Sequence, residues 1–509
     1  MANLKYNYSG EWEDVRRVLR NYPANEILKK INRESIALQE SLKVSKIPAA
    51  RYAEYTIFNL KTKTLEKKET IITTWNLIDL AYYTILATHD NRGNRLIDDC
   101  EFYTLVDAVE GLKQKKELEF LETLEDGSYE IFLYLWGFVG EQLKAESPGI
   151  MFENAARDLY ILFEIAKKAD NAFDISSIVQ EECGFSWEKI ICALFLGWAF
   201  FSNQSVLNME AMPFADNKYL DENEFLDIIR NYTVDYEVVR NSPLYRQVLY
   251  TKPYIVTQKK ELIGISPYLS LCLYEHSIFW IVRNHYLKQK SQVFTDFFGQ
   301  CFEEYFEELL EYALNDNEFY RIPEGSTPRA DWKLIVDGYR FLIEQKSSLI
   351  RLDAKQQETN IDTIKEYSYK TIVKAIEQLR NTEAELGDGQ YIKFILLYED
   401  YLKPEIIDQV FMLDSCNIES DNRYWLITIG EMERLLCLCK SQRDIFKKII
   451  EERIKREDTH SNEGRSFAQL LSEFQVKTNS FIKQEKIMYY RDLAQSRAMA
   501  VLKGEDIVC

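Results

Sequence analysis

The pattern of apolar and polar residues divides the chain into a helical first part and a mixed second part. Up to about residue 290, apolar residues recur at spacings of three and four within polar segments such as 25–42 and 73–87, as in amphipathic helices. The stretches 170–186 and 202–221 lack this spacing and are expected to be longer connections. We therefore expect region 1–290 to be mostly helical.

After residue 293 the pattern alternates between helices and strands. Residues 293–315 predict a helix with an apolar stripe at the 3.6-residue period, formed by Phe298, Phe302, Tyr305, Phe306, Leu309 and Ala313. The elements predicted after it are a strand at 319–322, a hairpin at 330–346, a helix at 361–386, a strand at 391–398, a short helix at 404–411, a strand at 424–429 and a helix from Glu431. This order, αβββαβαβα, predicts a mixed sheet with helices packed on it and an α+β fold overall.

The hairpin is the most specific of these predictions. Asp337-Gly338 is typical of a type I′ turn, which needs positive φ at both central positions. If these two residues form the turn, Val336 faces Tyr339, and the same register carried back places Asp331 opposite Glu344.

The period of two along a strand then sorts the side chains by face. Glu344 and Lys346 share the face of Asp331, whereas Phe341, Ile343 and Gln345 point the other way. Two carboxylates directly opposite each other repel at a Cβ separation of about 5 Å. A divalent cation between them would turn this repulsion into attraction.

In its order of Asp331, a turn, and an apolar strand ending Glu344-Gln345-Lys346, the chain resembles the PD-(D/E)xK, or restriction-endonuclease-like, nuclease superfamily. The Pro of that motif is displaced here to Pro328. A lone Glu-x-Lys triplet is weak, because charged pairs on strands usually form a solvated face. The flanking elements strengthen the resemblance, which covers residues 294–433 and implies a restriction-endonuclease-like core, αβββαβαβ.

The resemblance also implies site residues. Asp331, Glu344 and Lys346 are expected to be catalytic, and Mg²⁺ or Mn²⁺ is expected on Asp331, Glu344 and the Gln345 carbonyl. The pattern Gly299-x-x-Phe302-Glu303 resembles the superfamily's metal-assisting helix, which adds Glu303 as a ligand with Glu307 as its substitute. The alternative is that these glutamates form the solvated face of an amphipathic helix.

Further basic and polar residues are candidates for substrate contacts. Phosphate contacts are expected from Arg329, Lys333, Arg340 and Arg351. The long helix after the hairpin carries Lys370, Lys374 and Gln378, for which surface solvation is the alternative to a place in the site.

The implied function is a metal-dependent endonuclease, with DNA as the expected substrate, in the manner of bacterial restriction and phage-defence effectors. One alternative is a non-catalytic nucleic-acid-binding or scaffold protein on a decayed nuclease fold. A second is an all-helical assembly protein with an accidental Glu-x-Lys triplet. The domain prediction is a helical regulatory or scaffold region at 1–290, a nuclease domain at 291–440 and a helical C-terminal segment at 441–509.

The net charge and the cysteine content limit which nucleic-acid contacts, zinc sites and disulfides are expected. The net charge of −19 opposes nucleic acid, so contact with it must be local, and residues 318–355 carry seven Lys or Arg against six Asp or Glu. Nucleic acid is thus expected to reach the site with help from an oligomer of the chain or a regulatory partner protein. The nine cysteines show no paired spacing, which favours buried thiols in the cytoplasm over zinc or disulfides.

Membrane and secretory features are not expected. The first residues lack the apolar stretch of a secretory signal, and the longest apolar run, 190–201, is too short to span a bilayer. We interpret that run as a buried helix. His276 and His285 lie among aromatic residues and are expected to serve packing or interfaces.

Overall fold

The computed structural model of the chain describes residues 11–42, 50–59, 62–93, 95–122, 148–169, 173–204, 206–208, 219–242, 247–347, 366–387, 389–398, 424–458 and 466–505. Within these ranges the fold is α+β, with a large helical region before a mixed sheet. This confirms the predicted fold class.

The first part of the chain is built mainly from helices. They are α1 (Trp12–Leu19), α2 (Ala24–Leu42), α3 (Thr74–Ala87), α4 (Asp99–Glu122), α5 (Pro148–Phe163), α6 (Ile175–Cys183), α7 (Trp187–Phe201), α8 (Glu222–Arg230), α9 (Tyr236–Asn241), α10 (Gln247–Thr251) and α11 (Pro267–Lys288). The helices predicted at 25–42 and 73–87 are thus confirmed as α2 and α3.

Two small sheets in this part were not predicted. Strands β1 (Ala50–Asn59) and β2 (Thr64–Thr73) form an antiparallel ribbon. A second sheet has the order β3-β6-β5-β4 and consists of β3 (Leu207–Asn208), β4 (Thr233–Val234), β5 (Tyr254–Val256) and β6 (Glu261–Gly264). Strands of two to four residues are too short to show an alternating pattern.

The predicted connection at 170–186 is wrong, because it contains α6. Asp174 caps this helix by accepting a hydrogen bond from the main-chain N–H of Ser177 at 3.0 Å, and Gly184 ends it with a φ of 77°. An Asp before and a Gly after a short segment are ordinary helix boundaries. These two boundary residues indicate a helix although the apolar spacing between them is weak.

The apolar run 190–201 lies in α7, whose inward side chains include Ile190, Leu194 and Leu196 at 1% exposure or less. Within the described ranges, no single helix has both the length and the apolar character needed to cross a membrane. The helices α6 and α7 meet that test only together, as a pair bent by 61°.

The second part contains a five-stranded sheet in the order β11-β10-β9-β8-β7. Its strands are β7 (Phe319–Arg321), β8 (Trp332–Val336), β9 (Tyr339–Lys346), β10 (Ile392–Leu397) and β11 (Tyr424–Thr428). The first three pair antiparallel, and β9, β10 and β11 run parallel to one another. All five predicted strands are confirmed to within two residues at each end.

Helices cover both faces of this sheet. They are α12 (Val293–Ala313), a π-helical turn at Tyr369–Val373 that leads into α13 (Lys374–Leu386), then α14 (Ile429–Ser441), α15 (Arg443–Asp458) and α16 (Phe467–Glu473). The last helix, α17 (Glu485–Lys503), packs instead on α5 and α7 of the first part. The predicted stripe of α12 is confirmed, since its six residues are at most 4% exposed. The helix predicted at 404–411 lies outside the described residues.

The helical region and the sheet share one continuous apolar core. A buried ion pair also joins them: the guanidinium of Arg157 on α5 donates to both carboxylate oxygens of Glu433 on α14, at 2.5 and 2.7 Å. Tyr305 and Asn479 donate to the same carboxylate. The boundaries at 290 and 440 stay predictions, but this ion pair crosses the first of them.

The two histidines of α11 contact carboxylates on neighbouring helices. His276 Nδ1 lies 2.6 Å from Asp158 Oδ2 on α5, and His285 Nδ1 lies 2.9 Å from Glu182 Oε1 on α6. Their contacts are therefore those of an interface within the fold.

Candidate active site

The hairpin β8–β9 has the predicted turn and register. Asp337 and Gly338 have φ values of 50° and 86°, as a type I′ turn requires, and Val336 pairs with Tyr339. The turn is tied to a helix, because Arg443 at the start of α15 donates to Asp337 at 3.2 Å and to Glu318 at 2.7 Å.

Asp331 lies one residue before the paired part of β8, where the register places it opposite Glu344. Its main-chain N–H donates to the Ile343 carbonyl at 3.1 Å, and its Oδ2 accepts from the main-chain N–H of Gln345 at 2.6 Å. Asp331 therefore lies at the end of the paired strands, close enough to Glu344 that its charge raises the pKa of Glu344.

The surroundings raise the pKa of both carboxyl groups, of which Glu344 is buried and Asp331 is half-buried. Burial raises the pKa of Asp331 to about 7, against the hydrogen bond from Gln345, which lowers it. Burial also raises the pKa of Glu344 to about 8, and the charge of Asp331 adds to this rise. Two neighbouring acids whose pKa values are raised in this way are typical of a functional site.

Lys346 is on the same face, as predicted, and is held by two side chains. Its Nζ lies 2.6 Å from Glu344 Oε1 and 2.9 Å from Gln378 Oε1. Gln378 on α13 in turn donates through Nε2 to the Arg329 carbonyl at 3.1 Å. Gln378 therefore belongs to the site, although surface solvation was the favoured interpretation of its sequence position.

The Gln345 side chain points to the opposite face, also as predicted. Its Oε1 accepts from Trp332 Nε1 at 2.7 Å, and its Nε2 donates to the Phe302 carbonyl on α12 at 3.2 Å. This amide fastens β9 to α12. Only the main chain of Gln345 remains for the role that the resemblance implies.

Glu303 lies near the pair but is bound elsewhere. Its charge raises the pKa of both Asp331 and Glu344, while its Oε2 accepts from the Arg321 guanidinium at 2.6 Å. Arg321 also contacts Glu304 at 3.1 Å and Glu307 at 3.4 Å. Glu303, Glu304 and Glu307 of α12 thus form an ion-pair cluster around Arg321. This cluster is separate from the pair of Asp331 and Glu344.

Asp331 and Glu344 are the side chains that could bind a divalent cation. Within the described ranges, no three or more His, Cys, Asp or Glu residues are grouped to hold a metal. Glu344 Oε2 is buried without a hydrogen-bond partner, and Mg²⁺ often binds through only one or two carboxylates and keeps several waters. Asp331 and Glu344 therefore fit such an ion as a pair of carboxylate ligands.

The basic residues predicted to meet phosphates have partners inside the fold. Arg329 Nε lies 2.6 Å from Glu385, and Lys333 and Arg340 lie over the ring of Tyr391 at 5.4 and 5.9 Å. Arg351 lies outside the described residues. Lys370 pairs with Glu366 at 2.6 Å, and Lys374 lies over the Tyr369 ring at 5.9 Å.

Comparisons with known proteins yield one partial similarity. No family model matches the chain, and no solved structure matches it. Over 130 residues the chain is 26% identical to a protein of Clostridium kluyveri named "Probable GTP-binding protein EngB", a match that covers 23% of this chain and 64% of that protein. The chain thus spans less than two thirds of this relative. The comparisons assign no family.

Proposed function

We propose that the chain is a cytoplasmic, metal-dependent nuclease that hydrolyses phosphodiester bonds in DNA. The observation that carries the proposal is the site on β8 and β9. There Glu344 is buried, Asp331 lies half-buried beside it and raises its pKa, and Lys346 Nζ lies 2.6 Å from Glu344. The resemblance to restriction-endonuclease-like proteins further suggests a role in bacterial restriction or phage defence.

Each side chain has a distinct task in this proposal. Asp331 and Glu344 would hold Mg²⁺ or Mn²⁺, which supplies charge stabilisation and a more acidic water when bound. The Lys346 ammonium stabilises the negative charge that develops on the phosphate, and Gln378 holds this ammonium in place. The Gln345 main-chain N–H fixes the orientation of Asp331.

The acidity of the chain shapes how substrate would arrive. With a net charge of −19, the surface as a whole repels a polyanion. Contact with DNA is therefore confined to the neighbourhood of the hairpin, and a further copy of the chain or a partner protein would help to bring DNA there. The helical region is proposed to regulate or recruit.

Plasmid cleavage with and without Mg²⁺ or Mn²⁺ tests the proposal, with single-stranded RNA as a parallel substrate. We expect metal-dependent cleavage of DNA by the wild type and its loss in Asp331→Ala, Glu344→Ala and Lys346→Ala, because the three groups act on one phosphate. Circular dichroism would show that each variant is folded.

Lys477→Ala is the matched control, since it removes one positive charge at an exposed position outside the hairpin. It should cleave like the wild type. Metal-dependent cleavage that survives in purified Glu344→Ala would contradict the proposal. Binding of DNA without hydrolysis under all conditions would favour a binding protein on a decayed nuclease fold.

A further inference from the structure

The ribbon of β1 and β2 presents one buried and one outward face. The two strands pair along ten residues each, and the face formed by Ala53, Tyr55 and Ile57 is buried against the helical region. There α2 and α4 contact β1, and α3 and α4 contact β2. The other face points to solvent. A two-stranded ribbon alone is marginally stable, so this packing supports its inner face only.

The two edges of the ribbon differ. The edge of β1 is approached by α4, since Cys100 Sγ donates to the Thr56 carbonyl at 2.9 Å, and Arg51 pairs with Glu34 on α2. In the part of the chain that the structure describes, β2 pairs with β1 alone. Main-chain groups on the outer edge of such a strand can pair with another strand. At the C-terminal end of β2, the Ile71 carbonyl already accepts from Asn76 Nδ2 on α3 at 2.7 Å.

The outward face of β2 carries apolar and charged residues in an order that favours association. Leu65 and Ile71 are 73% and 49% exposed. Lys67 and Glu69 lie between them, and neither forms an ion pair with another described residue. Glu69 also lies directly opposite Glu54 of β1, a like-charge pair that a neighbouring cation would relieve.

We propose that this edge binds a second copy of the chain, with β2 antiparallel to β2 about a two-fold axis at Lys68. At the edge of an antiparallel strand, the main-chain groups of every second residue point outward. Outward-pointing residues of the two copies pair with each other, so odd-numbered residues lie opposite odd-numbered residues. This register places Leu65 opposite Ile71 of the second copy and Lys67 opposite Glu69 of the second copy. The two-fold axis forms each contact twice.

The neighbouring registers are worse. An axis at Lys67 places Leu65 opposite Glu69, and an axis at Glu69 places Lys67 opposite Ile71. In the proposed register only Lys68 meets its own copy, on the other face, where it is exposed and its long stem reaches water. In the proposed dimer, Lys67 of the second copy also lies opposite Glu69 and relieves its repulsion with Glu54. It does not depend on the nuclease proposal.

Charge reversal tests this dimer. Sedimentation equilibrium over a wide range of concentrations should show a monomer–dimer equilibrium for the wild type. Lys67→Glu and Glu69→Lys should each raise the dimer Kd on the order of 10- to 100-fold, because each creates two like-charge cross-strand pairs. The double variant Lys67→Glu/Glu69→Lys restores opposite charges and should regain most of the affinity.

Lys477→Glu, at an exposed position outside the ribbon, is the charge-matched control and should leave the Kd unchanged. A wild type that stays monomeric, a dimer indifferent to both single reversals, or a double variant no better than the single ones would each overturn the proposal.

Cross-linking tests the register separately. Facing residues of paired strands have Cα atoms about 4.5 to 5.5 Å apart, within the range of a disulfide. Lys68→Cys should therefore form a covalent dimer under mild oxidation. Glu54→Cys on β1, which lies away from the axis, and the wild type should not. Equal cross-linking of both variants, or none in either, would overturn the register.

Discussion

Glu344 is an acid placed where its charge is costly. One of its oxygens contacts Lys346 and the other is buried without a hydrogen-bond partner. A buried polar atom left in this way costs free energy unless something binds it. At the residue scale the site therefore favours either a proton or a cation, and these two compete for the same oxygens.

This competition predicts how stability depends on pH. In the folded protein Glu344 keeps its proton up to a pKa of about 8, whereas an unfolded chain ionises near its usual pKa of about 4.3. Between these values unfolding releases a proton, so raising the pH lowers the free energy of unfolding. Asp331 contributes in the same direction up to about pH 7.

Glu344→Gln removes one of the two titrations while keeping the side-chain shape. From about pH 5 to about pH 8, the wild type should lose on the order of 1 to 3 kcal/mol of stability relative to the variant. Urea unfolding at several pH values measures this, and added Mg²⁺ should stabilise the wild type most at the alkaline end. Parallel pH profiles for the two proteins would contradict the assigned burial.

Gln378 is a positioning residue. In Gln378→Leu the Lys346 ammonium loses one of its two hydrogen-bond partners, so we expect kcat for DNA cleavage to fall by roughly 10-fold with little change in KM. Asn381→Leu, which removes a contact to the Pro328 carbonyl from the same helix, should leave kcat near the wild-type value. Equal losses in both variants would indicate a general effect of α13.

At the scale of elements, the turn of the hairpin determines which face the site residues share. Gly338 has a φ of 86°, and a Cβ added there would meet no atom within 4 Å. A substitution at Gly338 therefore tests backbone strain alone. A slip of one residue would turn Glu344 toward the apolar face.

Gly338→Ala should lower the free energy of unfolding by about 1 kcal/mol, because Ala disfavours positive φ. Gly111→Ala is a control of opposite sign: Gly111 lies inside α4 and a Cβ there also meets nothing, so helix propensity should raise stability by about 0.5 to 1 kcal/mol. Denaturant unfolding of both variants measures the two signs.

The parts of the fold that could be predicted are those with a clear pattern in the neighbouring sequence. The Asp337-Gly338 turn and the stripe of α12 are local, and both were predicted. The β1–β2 ribbon was missed because its turn includes Lys63 at a φ of 55°, without the Gly or Asn that usually mark such a turn. Gln378 was undervalued because only the packing of α13 brings it to Lys346.

At the scale of the whole molecule, the ion pair of Arg157 and Glu433 joins residues that are 276 positions apart. Periodic patterns in a sequence do not connect residues at such a separation. Both side chains are at most 3% exposed. Removing one partner of a buried pair leaves the other charge uncompensated, which costs far more than the pair itself contributes.

We expect Arg157→Met to destabilise the protein by about 3 to 5 kcal/mol and to lower the unfolding transition of the helical region and of the sheet together. Arg157→Met/Glu433→Leu should recover much of this loss. Arg17→Ala, which breaks an exposed pair with Asp14, should change stability by less than about 1 kcal/mol. Differential scanning calorimetry distinguishes a joint shift from a shift of one transition.

The Arg157–Glu433 contact also constrains how such a gene can be rearranged. Recombination near codon 290 would join the sheet, which carries Glu433, to an N-terminal region from another gene that lacks Arg157. The hybrid protein would then contain a buried anion with no counterion. Exchanges that survive must transfer both residues together or replace both. The two halves of this chain are therefore expected to descend as a unit rather than to be shuffled as independent cassettes.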